Sequence, residues 1–317
     1  KVTAIAAVEA LCAEYLARAP DLRHKMQQLI NEKRRKQRED FAALKAEQEE
    51  RARIFLEERR ADAEIADKLR HEKRIERLKS LMLEAQQRDC AKIKTFVRER
   101  GVRHLFHFTR ITNLNGIAAH GVLPRFEIPD GFSANDAYRF DGYREAICLS
   151  AGYINYKMFW YCYYQNQDVP NWALVAISPE ILQDTPCLFF STNAANGRFR
   201  NLSDEALASH MGFNGISNMY FDEPAGLRAE RNLKGYWTTD PQAEILAFGR
   251  IPANRVEVVA LLRPDHHIEQ KLRSLQPGWR VDTNPGLFEK RHDYKLWQGG
   301  EAVRLSDDTS SFDDIPF

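Results

Sequence analysis

The sequence has few cysteines, and their spacing fits neither a disulfide framework nor a zinc site. Five are scattered through 317 residues, an odd number without a C-x-x-C pair: Cys12, Cys90, Cys148, Cys162 and Cys187. Scattered, unpaired cysteines are typical of reduced thiols in a cytosolic protein, and this spacing excludes a zinc ribbon. We therefore expect a cytoplasmic protein that binds no metal.

Long apolar runs are also lacking. No stretch of the sequence approaches the roughly 18 consecutive apolar residues of a membrane span, and no signal peptide is visible. We therefore expect no membrane partner. The chain begins at Lys1 and not at Met, which leaves open an additional N-terminal domain.

Glycine and proline are absent from residues 21–100, and aromatic residues are scarce there. A stretch this rich in Glu, Lys, Arg, Ala, Gln and Leu predicts a long helix or a pair of helices. We call residues 1–100 the helical arm and expect Pro20 to interrupt it. Its apolar residues keep no clean heptad, so a solvated arm, a coiled coil and a homodimer through the arm are all open. Its basic cluster, residues 33–38, is either a solvated helix face or a nucleic-acid contact.

Beyond residue 100 the pattern changes to short apolar runs separated by loops rich in Gly, Pro and Asn. These runs predict strands at residues 103–108, 146–150, 172–177, 187–190, 245–248 and 256–262, with an edge strand at 279–281. Helices are expected at residues 111–120, closed by Gly121, and at 153–164. We predict an α+β domain over residues 101–295, followed by an acidic, flexible tail over 296–317.

Three polar constellations interrupt these runs. Alternation along the first strand puts His107 and Thr109 on one face, where they could hydrogen-bond an amide or a ribose, although a structural His fits equally well. Arg139 lies in a loop before a strand, where an arginine can clamp a diphosphate or simply pair with Asp141. Glu244 lies between a turn-rich loop and a buried strand, a place where a carboxylate is costly without a partner. It is therefore either a catalytic carboxylate or a hydrogen-bonded structural residue.

In sequence order, these motifs resemble the DarT-type nucleic-acid ADP-ribosyltransferases, toxins of toxin–antitoxin and phage-defence systems. The motifs are His-Phe-Thr, Asn-Leu-x-x-Ile and His-Gly-x-Leu, then Arg-x-Asp and Asn-Tyr-Lys-Met-Phe, then Asp-Pro-Gln-Ala-Glu-Ile-Leu, and they lie within residues 103–262. The resemblance implies an ADP-ribosyltransferase fold, with split antiparallel β-sheets around a cleft that binds NAD as co-substrate. It also implies an antitoxin protein as a partner.

The resemblance further assigns roles to individual residues. Glu244 and Arg139 match the catalytic residues, and His107, Thr109, Asn115, Arg139 and Tyr156 match the NAD-binding set. The loop over residues 222–242 matches the substrate-recognition loop. Stacking aromatics and cations near the cleft suit a nucleic-acid acceptor. This sequence supplies them as Tyr236, Trp237, Arg198, Arg200, Arg228, Arg231 and Lys234.

Our leading hypothesis is an NAD-dependent transferase that modifies a base of single-stranded DNA or RNA without a metal. Protein ADP-ribosylation or NAD hydrolysis is the enzymatic alternative. The other alternative is a non-enzymatic coiled-coil interaction protein. We also expect that residues 1–95 can be removed without loss of NAD turnover.

Overall fold

The computed structural model of the chain describes residues 2–129, 141–199 and 202–297. Its first element, α1, is one uninterrupted α-helix, Val2–Arg100, which ends at Gly101 with φ +71°. Pro20 lies inside this helix, so the predicted interruption was wrong. A proline costs a helix one hydrogen bond and about 3 kcal/mol, a local cost that strong helix formers on both sides can offset.

The contacts divide the chain into two compact units, Lys1–Lys73 and Arg74–Phe317. Within the first unit the side chains are mostly exposed, and ion pairs such as Arg35–Glu39 lie one helical turn apart. Within the second unit, the last part of α1 contributes buried side chains to the core: Ile75, Leu78, Met82, Ala85 and Ile93. The predicted boundary at residue 100 is thus the end of the helix, whereas the units divide at residues 73 and 74.

The second unit continues with short strands and helices. The strands within the described residues are β1 Leu105–Arg110, β2 Ala146–Ala151, β3 Trp172–Ile177, β4 Cys187–Phe190, β5 Glu244–Phe248, β6 Val256–Leu261 and β7 Arg280–Thr283. The α-helices are α2 Leu114–His120, α3 Tyr156–Gln165, α4 Asp204–Leu207, α5 Gly212–Asn218, α6 Leu227–Glu230 and α7 His266–Leu275. Each predicted strand has an observed counterpart, so the α+β class is confirmed.

The strands hydrogen-bond in the order β4-β5-β2-β1-β3-β6-β7. All neighbours are antiparallel except β6 and β7, which are parallel, and β7 is the predicted edge strand. The buried faces of this sheet pack against apolar side chains of the helices and loops. Although α1 is long, no helix in the described ranges is long and apolar enough to cross a membrane.

The sheet is split in its middle, between β1 and β2. β1 pairs with β3 along its whole length, from Leu105 to Arg110. Its pairing with β2 consists only of Leu105 opposite Ala151 and Phe106 opposite Ser150. The remaining residues of the two strands diverge, which separates the half-sheet β4-β5-β2 from the half-sheet β1-β3-β6-β7. The expected split antiparallel architecture is therefore present, and its opening lies between β1 and β2.

One buried side chain of α1 anchors the outer strand β4. Gln86 donates from Nε2 to the carbonyls of Leu182 and Thr185, both at 2.8 Å, and its Oε1 accepts from the Cys187 N–H at 3.1 Å. Gln86 is fully buried, and these three hydrogen bonds are all to backbone groups. The helix thus covers a sheet edge that would otherwise expose hydrogen-bonding groups.

Candidate active site

A cleft opens where β1 and β2 diverge. Residues 106–109 and 146–150 form its two walls. Other elements complete it with Asn113, Leu123, Arg125, Ile128, Asn155, Met158, Cys162 and Glu244. The cleft encloses about 900 Å³ of empty space, part of it open to solvent. Small-molecule and cofactor sites are usually concave and lined by apolar side chains with a few polar groups, as this cleft is.

A second hollow of about 450 Å³ adjoins the cleft. The two hollows share His107, Thr109 and Asn113, and the second is closed by α2 and the segment that follows it. Gly121 belongs to that wall at φ +80°, where a Cβ atom would come within 2.2 Å of the Ile251 carbonyl oxygen. The wall therefore requires glycine at this position.

His107 and Thr109 project from β1 into both hollows, as the alternation predicts. The His107 Nδ1 atom lies 3.0 Å from the Cys148 carbonyl oxygen, across the split. A carbonyl can only accept, so the Nδ1 atom carries a proton and donates it to this hydrogen bond. Thr109 is buried, and its hydroxyl accepts a hydrogen bond from the Asn113 amide at 3.1 Å.

Glu244 is the first residue of β5 and lines the same cleft. Its register partner is Phe190 of β4. Its Oε2 atom accepts a hydrogen bond from the Ala194 N–H at 3.0 Å, which fixes the orientation of the half-buried carboxylate. The structure thus brings Glu244 to the same cleft as His107 and Thr109 of β1, although it lies far from them in sequence.

Other residues of the expected NAD-binding set lie elsewhere. Asn115 is on α2 and does not line the cleft, and Tyr156 is buried in the core beneath it. Among the described residues, neither the Asn115 Oδ1 atom nor the Tyr156 hydroxyl has a hydrogen-bond partner. Burial raises the pKa of the Tyr156 hydroxyl far above its usual range, so it is neutral at physiological pH. Arg139, the expected diphosphate clamp, and Arg200 lie outside the described residues.

The expected acceptor-binding side chains are in two places. Arg198 is exposed on the segment after β4, with its guanidinium 5.0 Å from the Phe199 ring centroid. Before β5, the half-buried Tyr236 and the exposed Lys234 lie together, and the Lys234 ammonium is 5.8 Å from the Tyr236 ring centroid. The Arg231 guanidinium lies 4.9 Å from the Trp297 ring centroid.

Two residues expected to contact nucleic acid are buried. Trp237 is only 4% exposed, with the Lys234 ammonium 5.0 Å and the Arg291 guanidinium 4.9 Å from its ring centroid. Arg228 is 7% exposed and points into the protein, so its expected role as a surface cation was wrong. Burial, and secondarily the charge of Arg100, lower the pKa of Arg228. In the sequence this segment is rich in basic and aromatic residues, but in the fold the charge of Arg228 lies inside the protein.

Several cleft residues escaped the sequence reasoning. Asn155 caps α3, accepting from the Met158 N–H at 3.1 Å, while its own N–H donates to the Ser150 hydroxyl at 3.1 Å. All three line the cleft. An Asn directly before a helical run is a capping signal and could have been recognised. Asn113 was missed because the neighbouring Asn115 was assigned in its place.

The site offers no metal centre within the part of the chain that the structure describes, because no group of three or more His, Cys, Asp or Glu side chains converges there. Its polar side chains include an imidazole, two hydroxyls, two amides, a guanidinium and a carboxylate. These groups suit the binding of a polar organic ligand and the stabilisation of positive charge beside a carboxylate.

Comparison with known proteins identifies the family. The family model for DarT, described as ssDNA thymidine ADP-ribosyltransferase, matches residues 106–283, more than half of the 317-residue chain. No curated protein sequence matches the chain.

Similar solved structures include Thermosipho africanus DarTG in complex with ADP-ribose, at 16% identity and a TM-score of 0.37, covering 59% of this chain and 51% of that one. The chain thus spans about half the length of that relative. Thermus sp. 2.9 DarT in complex with NAD+ has 16% identity and a TM-score of 0.37, covering 59% and 98%. The Thermus DarT complex with ADP-ribosylated ssDNA has 17% identity and a TM-score of 0.39, covering 60% and 97%. On the family match over residues 106–283, this chain belongs to the DarT family of ssDNA thymidine ADP-ribosyltransferases, which confirms the resemblance.

Proposed function

We propose that this chain transfers ADP-ribose from NAD+ to a thymine base of single-stranded DNA, with Glu244 as the catalytic carboxylate. The observation that carries the proposal is the convergence of His107, Thr109 and Glu244 on one cleft within the region that the family model matches. Two distant segments supply these groups, since β1 carries His107 and Thr109 and β5 carries Glu244.

NAD+ binding is assigned to the cleft and the adjoining hollow, which share the wall formed by His107, Thr109 and Asn113. The His107 imidazole on this shared wall is suited to hydrogen-bond an amide or a ribose hydroxyl. Thr109 and Asn113, hydrogen-bonded to each other, add a hydroxyl and an amide to the same wall. Arg139 is proposed to hold the diphosphate, because a guanidinium can bind phosphate oxygens through two parallel hydrogen bonds.

The reaction breaks the bond between ribose C1′ and the nicotinamide nitrogen, and nicotinamide leaves with the bonding electron pair. The positive charge that develops on the ribose is stabilised by the Glu244 carboxylate. In thymidine, N3–H is the only ring N–H, because N1 is bonded to the sugar. We assign N3 as the nucleophile that bonds to C1′, with its proton passing to Glu244 as general base.

The biological role is proposed from the sequence resemblance. The protein acts in the cytoplasm as a toxin or phage-defence effector, and an antitoxin protein is its partner. A homodimer through α1 is supported by exposed apolar side chains such as Phe41, Phe55 and Leu69. Sedimentation of the full chain and of a chain that begins at Asp67 tests the dimer. A full chain that sediments at its own monomer mass would remove it.

The test of the function is incubation with labelled NAD+ and a panel of acceptors. The panel contains a single-stranded DNA with one thymine, the same DNA with cytosine in its place, the matching uracil-containing RNA, and a protein. Mass spectrometry of the released nucleosides locates the label. We expect ADP-ribosyl-thymidine from the first oligonucleotide alone. Label on the protein, or free ADP-ribose as the only product, would support the alternative activities instead.

A further inference from the structure

The segment before Glu244 has an unusual backbone environment. We call residues 234–239 the clamped loop, because the carbonyl of each of its six residues accepts a hydrogen bond from a buried side chain. Three side chains supply all of these donors, Tyr220, Arg228 and Arg291, and all three are nine-tenths or more buried. Loops usually expose their backbone groups to water. The carbonyls of this loop are instead hydrogen-bonded to side chains of the protein interior.

Arg228 holds the first half of the clamped loop. Its Nη2 atom donates to the carbonyls of Trp237 at 2.8 Å, Lys234 at 3.2 Å and Gly235 at 3.4 Å. Its Nη1 atom donates to the Thr239 hydroxyl at 2.8 Å. The Arg228 backbone N–H donates to the Asp222 carboxylate at 2.7 Å, which fixes the start of α6. A rigid fork of N–H groups can serve several acceptors at once, and an ammonium cannot reproduce that geometry.

Arg291 holds the second half. It donates to the carbonyls of Thr238 at 2.8 Å and Thr239 at 3.2 Å. Its Nε and Nη2 atoms donate to the two carboxylate oxygens of Asp293, at 2.9 and 2.5 Å. Burial acts to raise the pKa of Asp293, but the hydrogen bonds and charge of Arg291 and a hydrogen bond from Trp297 together outweigh burial, so the net pKa is lowered. The pair is therefore charged, and it brings the C-terminal part of the unit against the loop.

Close backbone contacts complete the enclosure. A Cβ atom on Gly152 would lie 1.9 Å from the Tyr236 carbonyl oxygen, and one on Gly235 would lie 3.1 Å from the Arg100 carbonyl oxygen. The Tyr220 hydroxyl donates to the Tyr236 carbonyl at 3.3 Å. With its carbonyls turned inward, the clamped loop leaves the exposed Lys234 and the half-buried Tyr236 on its outer side.

We propose that Arg228 and Arg291 are positioning residues that hold the clamped loop as the acceptor-side wall of the site. By doing so they determine which fraction of turnovers transfers ADP-ribose to DNA and which fraction ends in hydrolysis by water. The inference rests on the proposed function. A fixed loop orients the acceptor base against C1′, and misplacement by about 1 Å can cost on the order of 100-fold in rate.

The competing reaction is hydrolysis of NAD+, which needs no reactant other than water. When the C1′–nicotinamide bond breaks and no thymine is in place, a water oxygen bonds to C1′ and loses a proton to solvent. The products are ADP-ribose and nicotinamide. Loosening the clamped loop lowers transfer while the cleft that binds NAD+ is left intact, because neither arginine lines that cleft.

The test uses Arg228→Lys and Arg291→Lys in the full chain. Total nicotinamide release and thymine modification are measured in the same reaction, over a range of single-stranded DNA concentrations. We expect the fraction of turnovers that reach DNA to fall about tenfold or more, with a raised KM for DNA and little change in the KM for NAD+. The matched control is Arg255→Lys. Arg255 also bridges two acceptors, Glu180 and Asp184, at 2.6 Å each, but it does not contact the clamped loop.

A proportional loss of nicotinamide release and DNA modification would overturn the inference, as would an unchanged ratio in folded variants. If the lysine variants fail to fold, Tyr220→Phe tests the proposal in their place, because it removes one hydrogen-bond donor to the clamped loop and keeps the aromatic ring. It should shift the ratio in the same direction by a smaller factor, and no shift would refute the proposal. A wild-type chain that modifies no thymine would instead refute the proposed function.

Discussion

The burial of α1 predicts where the chain can be shortened. A chain that begins at Asp67 loses residues whose side chains are mostly exposed, and it keeps two helical turns before Ile75. Exposed ion pairs such as Arg51–Glu47 disappear with that part, but such pairs contribute little stability. A carboxylate in the first turn also favours the new helix start. We expect this shortened chain to fold and to turn over NAD+.

A chain that begins at Phe96, by contrast, should unfold, which reverses the expectation from the sequence. It lacks the buried side chains of Ile75, Leu78, Met82 and Ile93. Truncation of one such side chain to Ala costs about 2–5 kcal/mol, so together they contribute on the order of 8 kcal/mol or more. The total stability of a domain is only about 5–15 kcal/mol. Three of the four belong to the cluster that packs on Leu246 and Phe248 of β5, the strand that begins with Glu244.

Thermal melting and nicotinamide release on both truncated chains check this reasoning. Leu78→Ala in the chain that begins at Asp67 tests the same burial argument with the loss of a single buried side chain. It should lower the Tm by about 4–20 °C, because a loss of about 2–5 kcal/mol corresponds to about 2–4 °C per kcal/mol at this domain size. A cooperatively folding, active chain that begins at Phe96 would show that the buried part of α1 is dispensable and that the burial argument is wrong.

Gly152→Ala should unfold the protein or lower its Tm sharply, as measured by melting, because its Cβ atom would clash with the Tyr236 carbonyl at a φ of +71°. Thr109→Val should raise the KM for NAD+ several-fold with little change in Tm, since it removes the hydroxyl partner of Asn113 and keeps the side-chain volume. Burial lowers the pKa of His210 below its usual value of about 6.5, so the unfolded chain takes up this proton first and stability falls as the pH drops below about 6.5. Melting at pH 7 and pH 5 should therefore show a smaller Tm loss for His210→Gln than for the wild type.

Strands made of uninterrupted apolar runs were predicted with the correct bounds. β3 and β4 are buried at every position, so their sequence carries an unambiguous signal. β1 begins two residues later than its alternation suggested, because pairing with β3 sets its limits. The aromatic run from Tyr153 was expected to be helical throughout, but the Asn155 cap starts α3 at Tyr156. The start of α3 is therefore set by a local capping hydrogen bond, which composition alone does not show.

The site was predictable where its residues lie in short motifs on strands. His107, Thr109 and Glu244 share the cleft because strand alternation and the loop-to-strand junction fix their directions. The loop before Glu244 was harder to interpret. The sequence does not show whether a basic or aromatic residue faces solvent or, like Arg228, is buried and hydrogen-bonded to the backbone of the loop. Arg291 lies outside every motif and reaches the loop only through the tertiary fold.

The central claim is that Glu244 provides the carboxylate for transfer. Glu244→Gln keeps the shape of the side chain and an oxygen that can accept the Ala194 N–H, but it removes the charge that faces the ribose. Loss of one preorganised electrostatic group typically costs about 10²- to 10³-fold in rate.

The most direct measurement is therefore the Tm, the NAD+ affinity and the rate of thymine modification on one sample of Glu244→Gln. We predict a Tm and an NAD+ affinity near those of the wild type, with transfer reduced about 100-fold or more. A well-folded variant that modifies thymine at nearly the wild-type rate would contradict the assignment of Glu244 as the catalytic carboxylate.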